Sequence, residues 1–295
     1  MRIFVTGGSS CFAQVLLPML CAHAGVEGVT AADVRAPRVS HPKLNVIGPD
    51  VRVPTLPAVL HGHDALVHLA GTMFPTRMSA SDMFDVNVRA VQKLFHAARA
   101  TTITRFVHVS SAVVYGPSIH ANEEAQLNPL PGFLYAQHQA QLEHLLAIEM
   151  PECVRLRPHV IVGPHAHPMV KRLLSQPFYL RLNEPEPLFQ CIHEDDLGLA
   201  VILSLESDAR GAYNLAAEES FSLREALSTR AWLTAGLRPS LVASASRMAG
   251  RVLRWGADPG IVEAMSHPLL INCRRAIAEL GWRSHYTAKA ALATT

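Results

Sequence analysis

The sequence predicts an α/β fold, a doubly wound parallel sheet with a smaller, partly interleaved C-terminal lobe, and three observations carry that expectation. Short runs rich in valine and isoleucine alternate with longer helical stretches: Ile3 to Val5, Gly28 to Ala32, Leu44 to Ile47, Ala65 to Leu69, Arg105 to Val109 and Val154 to Leu156. Parallel strands are buried on both faces and need crossover connections, so this alternation specifies a sheet covered by helices on both sides. The first run leads directly into a glycine turn, Gly7-Gly8, and then an apolar helical stretch. Finally, Phe84, Val88, Val91 and Phe95 recur at helical spacing, as do Leu142, Leu145 and Leu146, which places two inward-packing helices after the fourth and fifth strands.

Taken in order, the elements divide the chain into a main domain over 1–164, to which 188–210 returns, and a lobe built from 165–187 and 211–295. The division follows the loosening of the pattern after Pro164, where prolines stand at 168, 177, 185 and 187. A strand-like L-F-Q-C-I and a helix opening near Asp195 follow. In doubly wound folds such a lobe covers the carboxyl ends of the strands, where ligands bind.

With 295 residues, 49% of them hydrophobic and 17% charged, the chain has enough apolar material for a large core. Twenty-six basic against 24 acidic residues leave a net charge of +2 with no basic block interleaved with aromatics, which argues against a nucleic-acid surface. The five cysteines, Cys11, Cys21, Cys153, Cys191 and Cys273, show no C-x-x-C spacing, so a disulfide framework or structural zinc is not indicated and a reducing cytoplasm is expected. Arg2 to Thr6 enters a glycine loop rather than the apolar core of a signal peptide. No apolar run reaches the ~20 residues that cross a bilayer, so no membrane partner is expected.

The glycine loop reads R-I-F-V-T-G-G-S-S-C-F-A, with the spacing of T-G-x-x-G-x-x-G and with Ser10 and Ala13 in place of the later glycines. Gly7 permits the tight turn, and the backbone N–H groups around Ser10, Cys11 and Phe12 would meet a diphosphate at a helix N-terminus. Ser10 adds a hydroxyl where the backbone approaches the phosphates, so either the loop shifts or the hydroxyl donates to a phosphate. Asp33, 20 residues after Ala13, sits where an acid accepts hydrogen bonds from the adenosine ribose. That favours NAD over NADP, although the nearby Arg35 could turn toward a 2′-phosphate. Cys11 is either a small loop residue or a thiol activated by the helix terminus.

H-E-D-D at His193 to Asp196 has the composition of a hard-metal cluster, but it sits at a strand-to-helix junction and is read as a helix cap. His61, His63, His165 and His167 form no H-E-x-x-H array, and no metal site is assigned.

Two further segments, V-S-S-A-V-V-Y-G (Val109 to Gly116) and Y-A-Q-H-Q (Tyr135 to Gln139), resemble the catalytic serine segment and Y-x-x-x-K helix of the extended short-chain dehydrogenase/reductases. R-L-R-P-H-V-I-V-G-P, G-A-Y-N-L-A and the closing L-G-W-R-S-H-Y-T extend the likeness over nearly the whole chain. The resemblance is nearest to the NAD-dependent epimerase/dehydratase branch, including its UDP-glucose 4-epimerase-like group. It implies a Rossmann domain, bound NAD and an oxidoreductase, epimerase or dehydratase activity, in which Ser111 holds the substrate oxygen and Tyr135 exchanges a proton with it.

The cofactor contacts it implies are Asp50 and Val51 in G-P-D-V, Leu69, Ala70 and Gly71 in V-H-L-A-G, Asn87 of the central helix, Ser110, Tyr135, Gln139, Pro158 and His159. His159 would border the nicotinamide. It also implies a substrate held by the lobe after Gly163, a nucleotide sugar in most members, and a homodimer through the helices around 82–100 and 133–150. Lys171, Arg172 and Arg181 would either meet a substrate diphosphate or be solvated.

The departures carry information. Gln139 stands where the resembled motif has lysine, whose ammonium lowers the tyrosine pKa and anchors the ribose. An amide can still hydrogen-bond the ribose but brings no charge. Losing a shift of about 2 units makes tyrosinate about 2.7 kcal/mol costlier, roughly a hundredfold in the population of active base. His138, on the same helix, either compensates or is a histidine of the helix surface or dimer interface. P-H-V-I replaces the asparagine usual in sugar-nucleotide epimerases, which leaves a smaller ketone, lactone or secondary alcohol open as substrate. Two alternatives remain beside the enzyme reading: a catalytically idle dinucleotide-binding relative with a regulatory or interaction role, and non-redox chemistry on the same scaffold.

Overall fold

In the computed structural model the described residues are 1–48, 56–69, 71–73, 78–176, 178–181, 185–227, 233–236 and 259–295. All six strand-like runs become strands of one parallel sheet: β1 Arg2–Thr6, β2 Gly28–Ala32, β3 Leu44–Ile47, β4 Ala65–His68, β5 Arg105–Val109 and β6 Val154–Pro158. A seventh, β7 Gly211–Leu215, pairs with β6 from Gly211 opposite Val154 to Leu215 opposite Pro158, giving the order β7-β6-β5-β4-β1-β2-β3. The sheet therefore runs past the boundary expected at 210. Tyr213 and Leu215 bury their side chains completely against it, so G-A-Y-N-L-A belongs to the main domain rather than to the lobe.

Alternation along each strand builds two cores. Ile3, Val5, Val67, Val107 and Leu156 point to one face, where they meet α1 (Ala13–Ala22) through Leu16 and Leu20. Leu197 and Val201, from the helix Glu194–Glu206, complete that layer. Gly198 of the latter helix lies against the flexible end of the Met19 side chain, where α1 and this helix meet. On the opposite face Phe4, Leu66 and Phe106 pack under α2 (Ala90–Arg99) and α3 (Leu134–Glu149) through Phe95, Leu142 and Leu146. The apolar stripe expected over 84–95 is thus the buried face of α2 and the turn before it.

That turn is not regular α-helix. Ala80–Phe84 is capped by Ser79 in a reciprocal capping box with Asp82, and Asp85–Arg89 then forms a π-helical turn before α2 begins. A π-turn inserts a residue and so re-aims one side chain, here Asn87, which is buried.

Beyond the sheet, the C-terminal segment folds back on the helix Glu194–Glu206. Trp282 is fully buried and donates its indole N–H to the Asp196 carbonyl at 2.8 Å. The Asp196 carboxylate accepts from the Ser284 hydroxyl at 2.9 Å and from the His285 and Tyr286 backbone N–H groups at 3.0 and 3.2 Å. The closing L-G-W-R-S-H-Y-T is a clasp on the start of that helix. His193 caps the same helix by accepting from the Asp195 N–H at 3.2 Å, as the junction reading of H-E-D-D expects. Lying between β4 and β2, β1 is where the sheet order reverses, so the crevice outside its carboxyl end is the binding position this topology offers.

Candidate active site

The loop after β1 opens into that crevice. Gly7 has φ 77°, a conformation that side-chain-bearing residues rarely adopt, and its N–H donates to Ala32 at 2.9 Å. Gly8 lies so close to β2 that a Cβ would come within 2.9 Å of the Ala31 Cβ. Ser10 behaves differently from a glycine at this position. Its hydroxyl oxygen accepts the Ala13 N–H at 3.2 Å and so caps α1, leaving its proton to donate outward. Among the described residues no acceptor within the chain takes the Cys11 or Phe12 backbone N–H. A helix start with such donors fits a diphosphate.

Asp33, half-buried at the end of β2, accepts from the Ser9 N–H at 3.0 Å and the Arg35 N–H at 3.0 Å. Each oxygen retains a lone pair for a ribose hydroxyl, while the Arg35 side chain is exposed. Across β1, the Leu69 N–H donates to Thr6 at 3.0 Å, and Gly71 lies beside the Asn87 side chain. The Asn87 amide brackets Thr72, accepting its N–H and donating to its carbonyl, both at 2.8 Å. Asn87 therefore fixes the loop leaving β4. Asp50, Val51 and Ala70 lie outside the described residues, as does the Arg181 side chain.

The serine and tyrosine segments come together beyond the carboxyl end of β5. Ser111 precedes a single 3-10 turn, Ala112–Tyr115, against which α3 packs. Tyr135 is the second residue of α3, half-buried against the Phe133 ring. Burial pushes its phenol above the ordinary tyrosine value, and a hydrogen bond from Gln139 pulls it only part of the way back. Gln139 is buried one turn further on, and its Oε1 lies 3.1 Å from His108 Nε2 on β5. Burial holds His108 down to about 4, partly offset by Glu143 and by Gln139, so at neutral pH this imidazole is uncharged.

Below this layer sits a buried charged network that the sequence reading missed. Glu143 accepts from Arg157 at 2.8 and 2.7 Å in a bidentate pair, and from Arg155 at 3.2 Å. Arg157 also donates to the Tyr115 hydroxyl at 2.6 Å, and Tyr115 donates to Asn214 at 2.7 Å. Burial lifts the Tyr115 phenol to about 12 despite Arg157, so this tyrosine is a strut rather than an acid or base. The signal was present in the sequence: Arg155 and Arg157 stand two apart in an apolar strand, hence on one face, and a buried guanidinium requires an anion.

Several further expectations are sharpened or corrected. His138 is neither at the surface nor a second base near Tyr135: it is buried edge-on to Phe84, its Nδ1 is 3.4 Å from Asn87 Nδ2, and burial lowers its pKa. The i+3 direction turns it toward the π-turn. His159, following Pro158 at the end of β6, spends both ring nitrogens internally. Nδ1 accepts the Val160 N–H at 2.7 Å and Nε2 reaches the Leu269 carbonyl at 3.0 Å. Only its ring is left to border a ligand. Ser110 is buried, with its N–H on Leu156 at 2.8 Å. Lys171 is exposed, and its ammonium donates to the Pro164 carbonyl.

The chain as a whole is matched by known proteins. A model of the NAD dependent epimerase/dehydratase family matches residues 3–216. The chain belongs to that family. Sterol demethylase protein B of Methylococcus capsulatus is 28% identical over 203 residues, which is 66% of this chain and 62% of that protein. A 4-hydroxy-2-methyl-3-oxo-4-farnesyl-3,4-dihydroquinoline-1-oxide ketoreductase of Stigmatella aurantiaca is 30% identical over 151 residues, 50% of this chain and 45% of that protein. The chain thus spans less than two thirds of the length of these relatives. MoeE5, solved with UDP-glucuronic acid and NAD, superposes with a TM-score of 0.81 at 22% identity, covering 100% of this chain and 97% of that one, and shares its fold.

Proposed function

We propose that the protein is an NAD-dependent oxidoreductase of the epimerase/dehydratase type that acts on a hydroxyl or ketone of a small molecule. What supports this reading is the placement, at the carboxyl ends of β1, β2 and β5, of the Gly7 to Phe12 loop, of Asp33, which accepts from Ser9 of that loop, and of Ser111, whose 3-10 turn packs against the helix that carries Tyr135. The bound nicotinamide supplies hydride transfer. The Cys11 and Phe12 N–H groups and the Ser10 hydroxyl hold the diphosphate, and Asp33 holds the ribose. Asp33 favours NAD over NADP because a 2′-phosphate would face a carboxylate already fixed by two backbone N–H groups. Ser111 orients the substrate oxygen, and Tyr135 moves a proton to or from it.

The substrate is a nucleotide sugar or a smaller carbonyl or hydroxyl compound, held over the site by the lobe of 165–187 and the chain after Leu215. The ligand of MoeE5 supports the first, and the ketoreductase relative supports the second. The five free cysteines favour the cytoplasm, and the homodimer is expected through the helices around 82–100 and 133–150. Among the described residues no helix is long and apolar enough to cross a membrane.

The experiment is to purify the protein without added nucleotide, denature it, and identify what is released by chromatography and mass spectrometry. Near-stoichiometric NAD is the expected result. A protein that is empty, and binds neither NADH nor NADPH when they are added, overturns the reading. A second reading, a catalytically idle dinucleotide-binding subunit, is favoured by Gln139 and by Ser10 in place of a loop glycine. It predicts bound nucleotide without turnover, unchanged by Gln139→Lys.

A further inference from the structure

A buried amide beside a catalytic tyrosine can point either of its two ends at the phenol, and the two orientations have opposite effects. A carbonyl oxygen there accepts the phenolic proton and disfavours ionisation, whereas an N–H donates to the phenol oxygen and leaves the proton free to depart. Gln139 has its Oε1 3.1 Å from His108 Nε2, with both side chains buried. Since Oε1 can only accept, His108 is the donor and carries its proton on Nε2. Tyr135 stands one turn earlier on the same face of α3, within reach of the opposite end of the amide.

The surroundings hold His108 in that role. On one side it stacks on His68 with ring centroids 5.4 Å apart, and it meets the edge of Phe95 at 6.4 Å. His68 is itself fixed by Thr6, whose hydroxyl is 2.6 Å from its Nδ1. The charged groups facing this cluster are Glu143 from α3 and Arg155 and Arg157 from β6. The two guanidinium groups converge on the single Glu143 carboxylate. Neither cation is therefore free to act on the phenol, and the groups next to Tyr135 on its own helix are uncharged.

Resting on the oxidoreductase reading above, we infer that His108 is a positioning residue. Its Nε2–H clamps the Gln139 amide so that the amide N–H faces the Tyr135 oxygen. This uncharged pair, standing where related proteins place a lysine, sets Tyr135 to give a proton to a carbonyl oxygen rather than take one from an alcohol. In the step that follows, the C4–H bond of a reduced nicotinamide breaks and its hydride forms a C–H bond at the carbonyl carbon. The Tyr135 O–H bond breaks and its proton forms the new O–H bond. The ketone is reduced to a secondary alcohol, the nicotinamide is oxidised, and the tyrosinate, held by the Gln139 N–H, regains a proton from water. The substrate class implied is a ketone or aldehyde. An epimerase, which must first deprotonate an alcohol, would gain far less from this pair.

The test uses the full chain, labelled uniformly with 15N and with 13Cζ-tyrosine, with Tyr135→Phe to assign the tyrosine signal. His108 is expected as a single Nε2–H tautomer that does not titrate between pH 5.5 and 9, and Tyr135 as a neutral phenol over the same range. Gln139→Lys should lower the Tyr135 ionisation by at least one pH unit, tenfold in tyrosinate at a given pH. His108→Phe should free the amide, so that the Gln139 side-chain 15N signal broadens or shifts. His108→Gln, which offers an N–H at a similar reach, should restore it. In the Gln139→Lys background His108→Phe should leave Tyr135 unmoved. An Nδ1–H tautomer, a His108 that titrates near 6.5, or a Tyr135 already ionised at pH 8 overturns the inference. The melting-temperature shift on adding NADH or NADPH is read on the same samples. Its absence refutes the oxidoreductase reading alone, whereas the tautomer and the ionisation decide the clamp.

Discussion

Glu143→Gln should destabilise the protein severely although the change preserves shape. The Glu143 carboxylate is 1% exposed and its partners Arg155 and Arg157 are 9% and 5% exposed, so no water is at hand to re-solvate a charge that loses its counter-ion. The substitution replaces an acceptor by an amide N–H2 pointing at guanidinium donors and leaves two buried positive charges unneutralised. Breaking a buried pair by removing one partner costs about 3–5 kcal/mol. At roughly 2–4 °C per kcal/mol for a large domain, the melting temperature should fall by about 10 °C. The dependence on pH gives a second check. Burial pushes the Glu143 pKa up, but hydrogen bonding and charge from Arg157, with Arg155 and Ser110, pull it below the usual carboxylate range overall. A depressed carboxylate stabilises the fold fully above its unfolded pKa, about 4.3, and loses that contribution as pH falls through the lower folded value. The deficit of Glu143→Gln relative to wild type should therefore be constant near pH 7 and shrink below about pH 4. Denaturant titrations from pH 3 to 8 read both quantities. A deficit under about 1 kcal/mol at pH 7, or one that stays constant into acid, would refute the assignment of this network as a strong buried ion pair.

Asp33→Ala should weaken NAD binding by roughly 10- to 100-fold, the worth of one charge-assisted hydrogen bond of about 1.5–3 kcal/mol, as read by calorimetry; unchanged affinity would remove Asp33 from the ribose site. Gly116→Ala should cost about 1–3 kcal/mol or more, because Gly116 has φ 66° and a Cβ there would run into the Asn128 carbonyl; a wild-type urea midpoint would contradict this. Trp282→Phe should lose about 1–3 kcal/mol by leaving the buried Asp196 carbonyl without its indole donor, and limited proteolysis should then cut the C-terminal clasp first. A protease pattern identical to wild type would show that the clasp is held by other contacts.

What could be read in advance, and what could not, follows from the range of the interactions. Strands announce themselves locally: each of the six apolar runs is buried by its own composition, whatever its neighbours, and each appears where expected. The Gly7 turn and the cap of the helix Glu194–Glu206 are also local, since both are decided within a few residues. The seventh strand failed that test. Gly211–Leu215 carries Asn214, a poor strand former, whose side chain is buried only because Tyr115, Ala121 and Asn272 come to meet it from 99, 93 and 58 positions away. The π-turn at Asp85–Arg89 is invisible to a helical period because it shifts that period by one residue. Gln139 shows the same limit at the site itself. The sequence exposes the missing cation, and chemistry fixes its cost, but the residue that governs the amide is 31 positions away on a different element. His108 in V-H-V reads as an ordinary strand residue until the sheet sets it under α3, so the consequence of the substitution lies in what the fold brings to Gln139.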